Sequence, residues 1–251
     1  MLRGRHYFDP DAKAAEQMLG IVPELRDTVW ANRGFHQRAA TWIAGQGIRQ
    51  FIDIGAGFPS VGNAHEVVRR ISTDARVVYT DSDPMVVEAY AGKIAGLGES
   101  VAVIHADPRD PDSILGHPRV RALIDPGEPT GLLMTGVMAF VGDRARPHDL
   151  VARYLREQAR GSYLALSHLT HDSKPPAAVE GCRQAFGTAA EHLTFRSKAE
   201  VARFFDGLEL VSPHQTAGPE IAYCGVWGAE DVNLADSEGS RWLYCGVART
   251  P

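Results

Sequence analysis

The first chemical signal is a pair of acids and a pair of glycines. Asp53, Gly55 and Gly57 sit in an apolar run that breaks into a turn, Phe51-Ile52-Asp53-Ile54-Gly55-Ala56-Gly57-Phe58-Pro59, and Asp81 closes a second run, Val77-Val78-Tyr79-Thr80. The glycines let a backbone approach a ligand closely, and Asp81 follows at about the distance expected of an acid that binds ribose hydroxyls. The spacing opens like a dinucleotide fingerprint and then departs from it. Ser60 stands where the third glycine belongs, and Pro59 removes a backbone donor that pyrophosphate would need at a helix start. Asp53 would add negative charge beside two phosphates. A ligand with a ribose, no phosphate and a positive charge of its own suits the loop better than a nicotinamide dinucleotide. S-adenosylmethionine has those properties. Asp53 then faces its cationic end, directly or through water, and Asp81, followed by Ser82, accepts from the ribose.

These groups need a sheet to position them. The two runs read as the first strands of a nucleotide-type α/β domain, delivering ligand-facing groups at their carboxyl ends, where open parallel sheets bind ligands. Residues 101–105 form an expected third strand, followed by a loop carrying Asp107 and Arg109. The apolar stretch 130–140 is expected to be a central fourth strand running into the rim, with Thr135, Gly136, Val137 and Met138 at the cofactor and substrate mouth. Residues 162–167 are the fifth strand, and His168 and His171 come just after it. Two histidines three apart suit a general base or a substrate contact, and structural hydrogen bonding is the competing account. A helix is expected over 61–71, with Asn63, His65 and Glu66 in its first turn near the cofactor, where capping competes with ligand contact. Asp83-Pro84 starts another helix, with Asp83 as its cap. Further helices are expected over 148–158 and 179–190, the latter passing over the substrate pocket, and after a capping box at Ser197 and Glu200. Residues 208–211 and the segment around Tyr244-Cys245-Gly246-Val247 read as late strands, the second antiparallel at the sheet edge. It repeats Tyr223-Cys224-Gly225-Val226 once, which is too little for a repeat architecture. Ahead of the sheet, Asp9 and Gly20 bound one helix, and a second begins near Pro23 with the apolar stripe Leu25, Val29, Phe35, Ala39, Trp42 and Ile43. Residues 1–46 are thus expected as a helical lid on a cofactor-binding domain of residues 47–251.

Four segments together resemble a known family: 53–66, 75–84, Asp107-Pro108-Arg109-Asp110-Pro111, and Gly161 to His168. In that order they look like the actinobacterial S-adenosylmethionine-dependent methyltransferases once catalogued as a domain of unknown function, and the likeness runs from about Gly4 to the C-terminus. The resemblance implies a class I methyltransferase fold: a doubly wound, mostly parallel sheet with an antiparallel C-terminal edge strand. It also implies S-adenosylmethionine as cofactor, Asp107 accepting from the adenine amine with Arg109 beside it, and His168 and His171 on the substrate side. An Asp-Pro turn held by Arg109 is the other reading of that loop. Relatives usually carry a tyrosine- and glycine-rich segment before the match to Gly4, which this chain begins too late to include. His6 and Tyr7 are then either cofactor-closing or surface residues.

The remaining bounds concern partners. With 251 residues, 44% hydrophobic and 23% charged, the chain can bury one sizeable α/β core. A net charge of −5 offers no electrostatic footprint for nucleic acid. No apolar run reaches a membrane span and no leader is evident, so a cytoplasmic protein is expected. Cys182, Cys224 and Cys245 are too few and too scattered for a disulfide framework or zinc site. The acceptor is expected to be a small molecule, in bacterial secondary metabolism, and a homodimer is left open. A cyclase or lyase acting on the cofactor's side chain, a cofactor-binding regulator and, on the weakest grounds, a nicotinamide oxidoreductase are the competing classes.

Overall fold

Apolar runs too continuous for a one-sided sheet become strands covered on both faces. Gln50–Ile54 (β1), Arg76–Asp81 (β2), Val101–His105 (β3), Gly131–Thr135 (β4) and Tyr163–Leu169 (β5) pair in parallel, and all five residues of β1 are buried. Glu209–Leu210 (β6), Ala222–Tyr223 (β7) and Leu243–Arg249 (β8) complete the sheet. The order is β3-β2-β1-β4-β5-β8-β6, with β7 also paired to β8. The computed structural model describes residue 16 and residues 19–186 and 193–251. His6, Tyr7, the expected cap Asp9 and the end of the expected 179–190 helix lie outside the described residues.

The mostly parallel, doubly wound sheet is present, with departures from expectation at β4, β5 and the late strands. The fourth strand stops at Thr135, because Gly136 turns at φ +88° and Val137–Phe140 wind into a 3-10 helix. β8 is antiparallel to β5, as expected, but β6 and β7 lie outside it, so it is not the edge.

Helices cover both faces. Leu25–Gly45 (α1) packs Phe35, Ala39, Ala40 and Ile43 onto the face that also holds Phe51, Tyr79 and Leu133. Ala64–Val68 (α2) is capped by the reciprocal Asn63 and Glu66 pair, and Pro84–Ile94 (α3) by Asp83, which accepts from the Met85 N–H at 2.8 Å. The opposite face buries Ile52, Ile54, Val78, Leu132 and Met134 under short helices at Pro111–Leu115 (α4) and Pro118–Leu123 (α5) and under Pro147–Arg156 (α6). Pro176–Phe186 (α7) joins Val22, Leu25, Leu193 and Trp242 in a third, smaller cluster, and the Ser197 and Glu200 capping box opens Lys198–Ala202 (α8). Strand order reverses between β1 and β4, the position at which open α/β sheets bind ligands.

Candidate active site

A cavity of about 460 Å³ opens at the carboxyl ends of β1, β2 and β4, beneath the N-terminal half of α1. Gly55, Gly57, Asp81, Ser82, Asp107, Arg109, Thr135 and Gly136 all line it. The two loop glycines do different work. Both have positive φ, +65° and +62°, but a Cβ on Gly55 would meet Val137 Cγ2 at 2.3 Å, whereas one on Gly57 would have no protein atom within 4 Å. Gly55 admits a close approach of two turns; Gly57 leaves the space before it open.

Asp81 ties that loop to β2. Its Oδ2 accepts from the Gly57 N–H at 2.8 Å and its Oδ1 from the Asp83 N–H at 3.0 Å. Burial raises its carboxyl above the usual range, and these backbone donors oppose the rise. Asp107 accepts from the Arg109 backbone N–H at 2.8 Å and from Arg109 Nε at 2.9 Å, and the Arg109 guanidinium holds its carboxyl below the usual range. The turn and the cavity wall are therefore the same structure.

Asp53 lies behind the wall, 2% exposed. Burial pushes its carboxyl up to about 7, Asp81 adding to the rise and Arg33 opposing it. His36 of α1, which lines the cavity, lies beside Asp53. Its Nδ1 shares a 3.0 Å hydrogen bond with Thr135 Oγ1, and its Nε2 faces Asp53 Oδ2 at 3.6 Å, too long for a hydrogen bond. Both facing atoms are buried without a hydrogen-bond partner. Burial, with Arg33 second, lowers His36 to about 3, so the ring is neutral. Arg33, one turn earlier, donates from Nε to the Val61 carbonyl at 3.1 Å and from Nη2 to Asn63 Oδ1 at 3.0 Å.

Besides Asp53, four expected site residues do not line the cavity. Asn63 is fully buried and its side chain is occupied by Arg33, by the Ser60 N–H and by the Ser60 carbonyl. The His65 ring bonds the Tyr79 hydroxyl at 2.7 Å. His168 belongs to β5 itself. It is fully buried, with Nδ1 2.8 Å from the Leu169 carbonyl and Nε2 against the Met138 carbonyl and Arg196. Burial lowers it to about 4. His171 is partly exposed and pairs with Asp172 and Glu200. Met138, expected at the mouth, is core, while Val137 and Phe140 line the cavity.

Among the lining residues that sequence reasoning missed are four polar ones from α1: Thr28, Asn32, Arg33 and His36. Thr28, Asn32 and His36 recur every four residues, a polar band on one helical face. That spacing was the available signal. The rest of the lining is largely apolar and includes Leu25 and Val29 of α1 with Phe140, Val141, Leu193 and Leu243. Arg196, 2% exposed, holds this wall from behind, donating to the Met138 and Val141 carbonyls at 3.3 and 3.2 Å and pairing with Asp143.

A family model described as S-adenosyl methyltransferase matches residues 1–251. Among solved structures, the chain is similar to a candidate methyltransferase from Thermobifida fusca YX, at 32% identity and TM-score 0.89, covering 99% of this chain and 91% of that one. It is similar to a DUF574 family protein from Streptomyces avermitilis MA-4680 at 34% identity and TM-score 0.90, covering 100% and 94%. The N-methyltransferase NodS from Bradyrhizobium japonicum WM9, solved with S-adenosyl-L-homocysteine, shares the fold alone, at 11% identity and TM-score 0.54 over 97% of this chain and all of that one. A comparison with curated proteins finds no match.

Proposed function

The chain belongs to the S-adenosyl methyltransferase family, and from that premise we propose that it methylates a small, largely apolar molecule of bacterial secondary metabolism. It is an S-adenosylmethionine-dependent methyltransferase. The observation that carries the acceptor reading is the mixed lining of the cavity: polar groups from the strand ends and α1, and many apolar side chains, among them Leu25, Val29, Phe140, Val141, Leu193 and Leu243.

The residues present fit the cofactor. Gly57 offers open space beside a carboxylate, and Asp53 and His36 leave buried polar atoms unpaired. Asp81 and Ser82 would hold the ribose, Asp107 and Arg109 the adenine, and Asp53 the cationic end. Thr135 and Gly136 would border the transferring group. Asn63 acts through Arg33 and the 60–63 turn, since its side chain is spent there. When bound, the cofactor supplies a methyl on a sulfonium, already activated for in-line displacement.

The chain's own task is then alignment and exclusion of water. Leu25, Val29, Phe140 and Leu193 exclude water from the acceptor, and α1, within the proposed lid of residues 1–46, covers the cavity with both polar and apolar side chains. No helix among the described residues is long and apolar enough to cross a membrane. We place the enzyme in the cytoplasm, and light scattering tests the homodimer that sequence analysis left open.

Calorimetric titration with S-adenosylmethionine, S-adenosylhomocysteine and NAD in parallel tests the cofactor. Binding of the first two without NAD is expected. An acceptor screen over apolar secondary metabolites, read as S-adenosylhomocysteine formation, tests the rest. Methylthioadenosine as the product would replace methyl transfer with side-chain chemistry.

A further inference from the structure

A second cavity, of about 390 Å³, lies between α1, the end of α2 and the Trp227-Gly228 turn. It shares no lining residue with the cofactor cavity. Arg38, Thr41 and Trp42 turn toward it the flank of α1 opposite the Thr28, Asn32 and His36 band, as 3.6 residues per turn requires. Its lining holds two arginines and no acid. Arg38 is half-buried, donating from Nε to the Trp227 carbonyl at 2.7 Å and from Nη2 to the Cys224 and Gly225 carbonyls at 2.7 and 3.1 Å. A Cβ on residue 34 would stand 2.7 Å from Nη1, so Gly34 leaves room for the guanidinium. Nη1 itself has no hydrogen-bond partner among the described residues. Every partner of this cation is a neutral carbonyl, and burial lowers its pKa with no carboxylate opposing the change. Arg70 is exposed, and its side chain has no partner among the described residues. The Trp227 indole N–H, in the same wall, is buried without one.

A cation held only by carbonyl dipoles is incompletely satisfied, and an anion completes it. The walls indicate what body that anion carries. Trp42 and Trp227 meet edge to face, 6.1 Å apart at 86°, and Phe35 sets Trp227 from behind at 5.6 Å. Val67 adds an aliphatic contact. We propose that this cavity binds a small aromatic carboxylate, its carboxylate on Arg38 Nη1 and Arg70 and its ring against the indoles of Trp42 and Trp227. An inorganic anion would leave the aromatic walls unused, and a neutral ring would leave the guanidinium unsatisfied. The volume lies in the range of small-molecule sites and admits a body of one or two rings. With a net charge of −5 on the whole chain, the attraction for an anion is local to this lining.

Calorimetric titration of the full chain with 1-naphthoate, 1-naphthamide and acetate is the test. Naphthoate is expected to bind about tenfold or more tighter than naphthamide, as hydrogen bonds to a charged group imply, and acetate weakest for want of a ring. Arg38→Gln should remove the gap between naphthoate and naphthamide. Arg70→Gln, at an exposed charge, should narrow it about threefold, and both variants should leave naphthamide affinity unchanged. Arg70→Gln keeps the test decisive if Arg38→Gln loosens the 224–227 segment, because the Arg70 side chain holds no other described group. Its effect also places the ligand here rather than in the cofactor cavity. Equal affinity for naphthoate and naphthamide, binding of neither, or a gap that Arg70→Gln does not narrow would overturn the site. Variants that weaken both ligands in proportion would show a purely structural role and overturn it too.

Discussion

Replacing Asp53 with asparagine should make the protein more stable, and increasingly so as pH rises. The carboxyl is raised from its ordinary 3.8 to about 7, chiefly by burial. A group raised in this way favours the folded state fully below pH 3.8, and that contribution is lost as pH climbs to about 7. At 1.36 kcal/mol per pH unit, ionised Asp53 costs the fold about 4 kcal/mol above pH 7 and about 1.5 kcal/mol at pH 5. Asparagine is nearly isosteric and carries no charge. For a chain of this size each 1 kcal/mol moves the melting temperature by about 2–4 °C. Asp53→Asn should therefore melt about 8–16 °C above wild type at pH 8 and only about 3–6 °C above it at pH 5. Thermal unfolding followed by circular dichroism at the two pH values measures both. An equal shift at the two pH values, or a lower melting temperature at pH 8, would refute the reasoning, because the ionised carboxylate would then be satisfied inside the fold. The same variant should bind S-adenosylmethionine more weakly, so that stability and ligand binding move in opposite directions at one residue.

Asp81→Ala should weaken S-adenosylhomocysteine binding by about 1–3 kcal/mol, through the lost acceptor and the released Gly57 N–H; an unchanged calorimetric dissociation constant would remove Asp81 from the site. Gly57→Val places a β-branched residue at φ +62° with its side chain in open space, so cofactor binding should be abolished; a normal affinity would overturn the placement of the loop. His168→Gln should lower stability by about 1–3 kcal/mol while leaving the S-adenosylhomocysteine dissociation constant within about twofold. A large change in that constant would mean the His168 network reaches the ligand.

The strand-end acids were legible because each follows an apolar run, and Asp83 marks a helix start with a proline behind it. The end of β4 was not, because Val137-Met138-Ala139-Phe140 is as apolar as the strand it follows. Only the positive φ of Gly136, invisible in composition, separates them. His168 was placed outside its strand for the converse reason. His168 looks like the start of a loop, but Arg196 and its pairing with Tyr244 hold it inside the sheet. Tertiary contact, not local pattern, decided that boundary. The polar band of α1 was overlooked because its neighbouring apolar stripe already explained the helix. The repeated Tyr-Cys-Gly-Val segments reflect strand pairing: Tyr223 sits opposite Tyr244 with the rings stacked at 4.8 Å.

Arg196 has a consequence for how such an enzyme can diversify. It grips the apolar wall by the carbonyls of Met138 and Val141 rather than by side chains. Phe140, Val141 and Leu193 hang from that frame into the acceptor space. Exchanging them redraws the shape offered to an acceptor without releasing the bonds that fix the backbone, so substrate preference can drift, or be engineered, one residue at a time on an unchanged chassis.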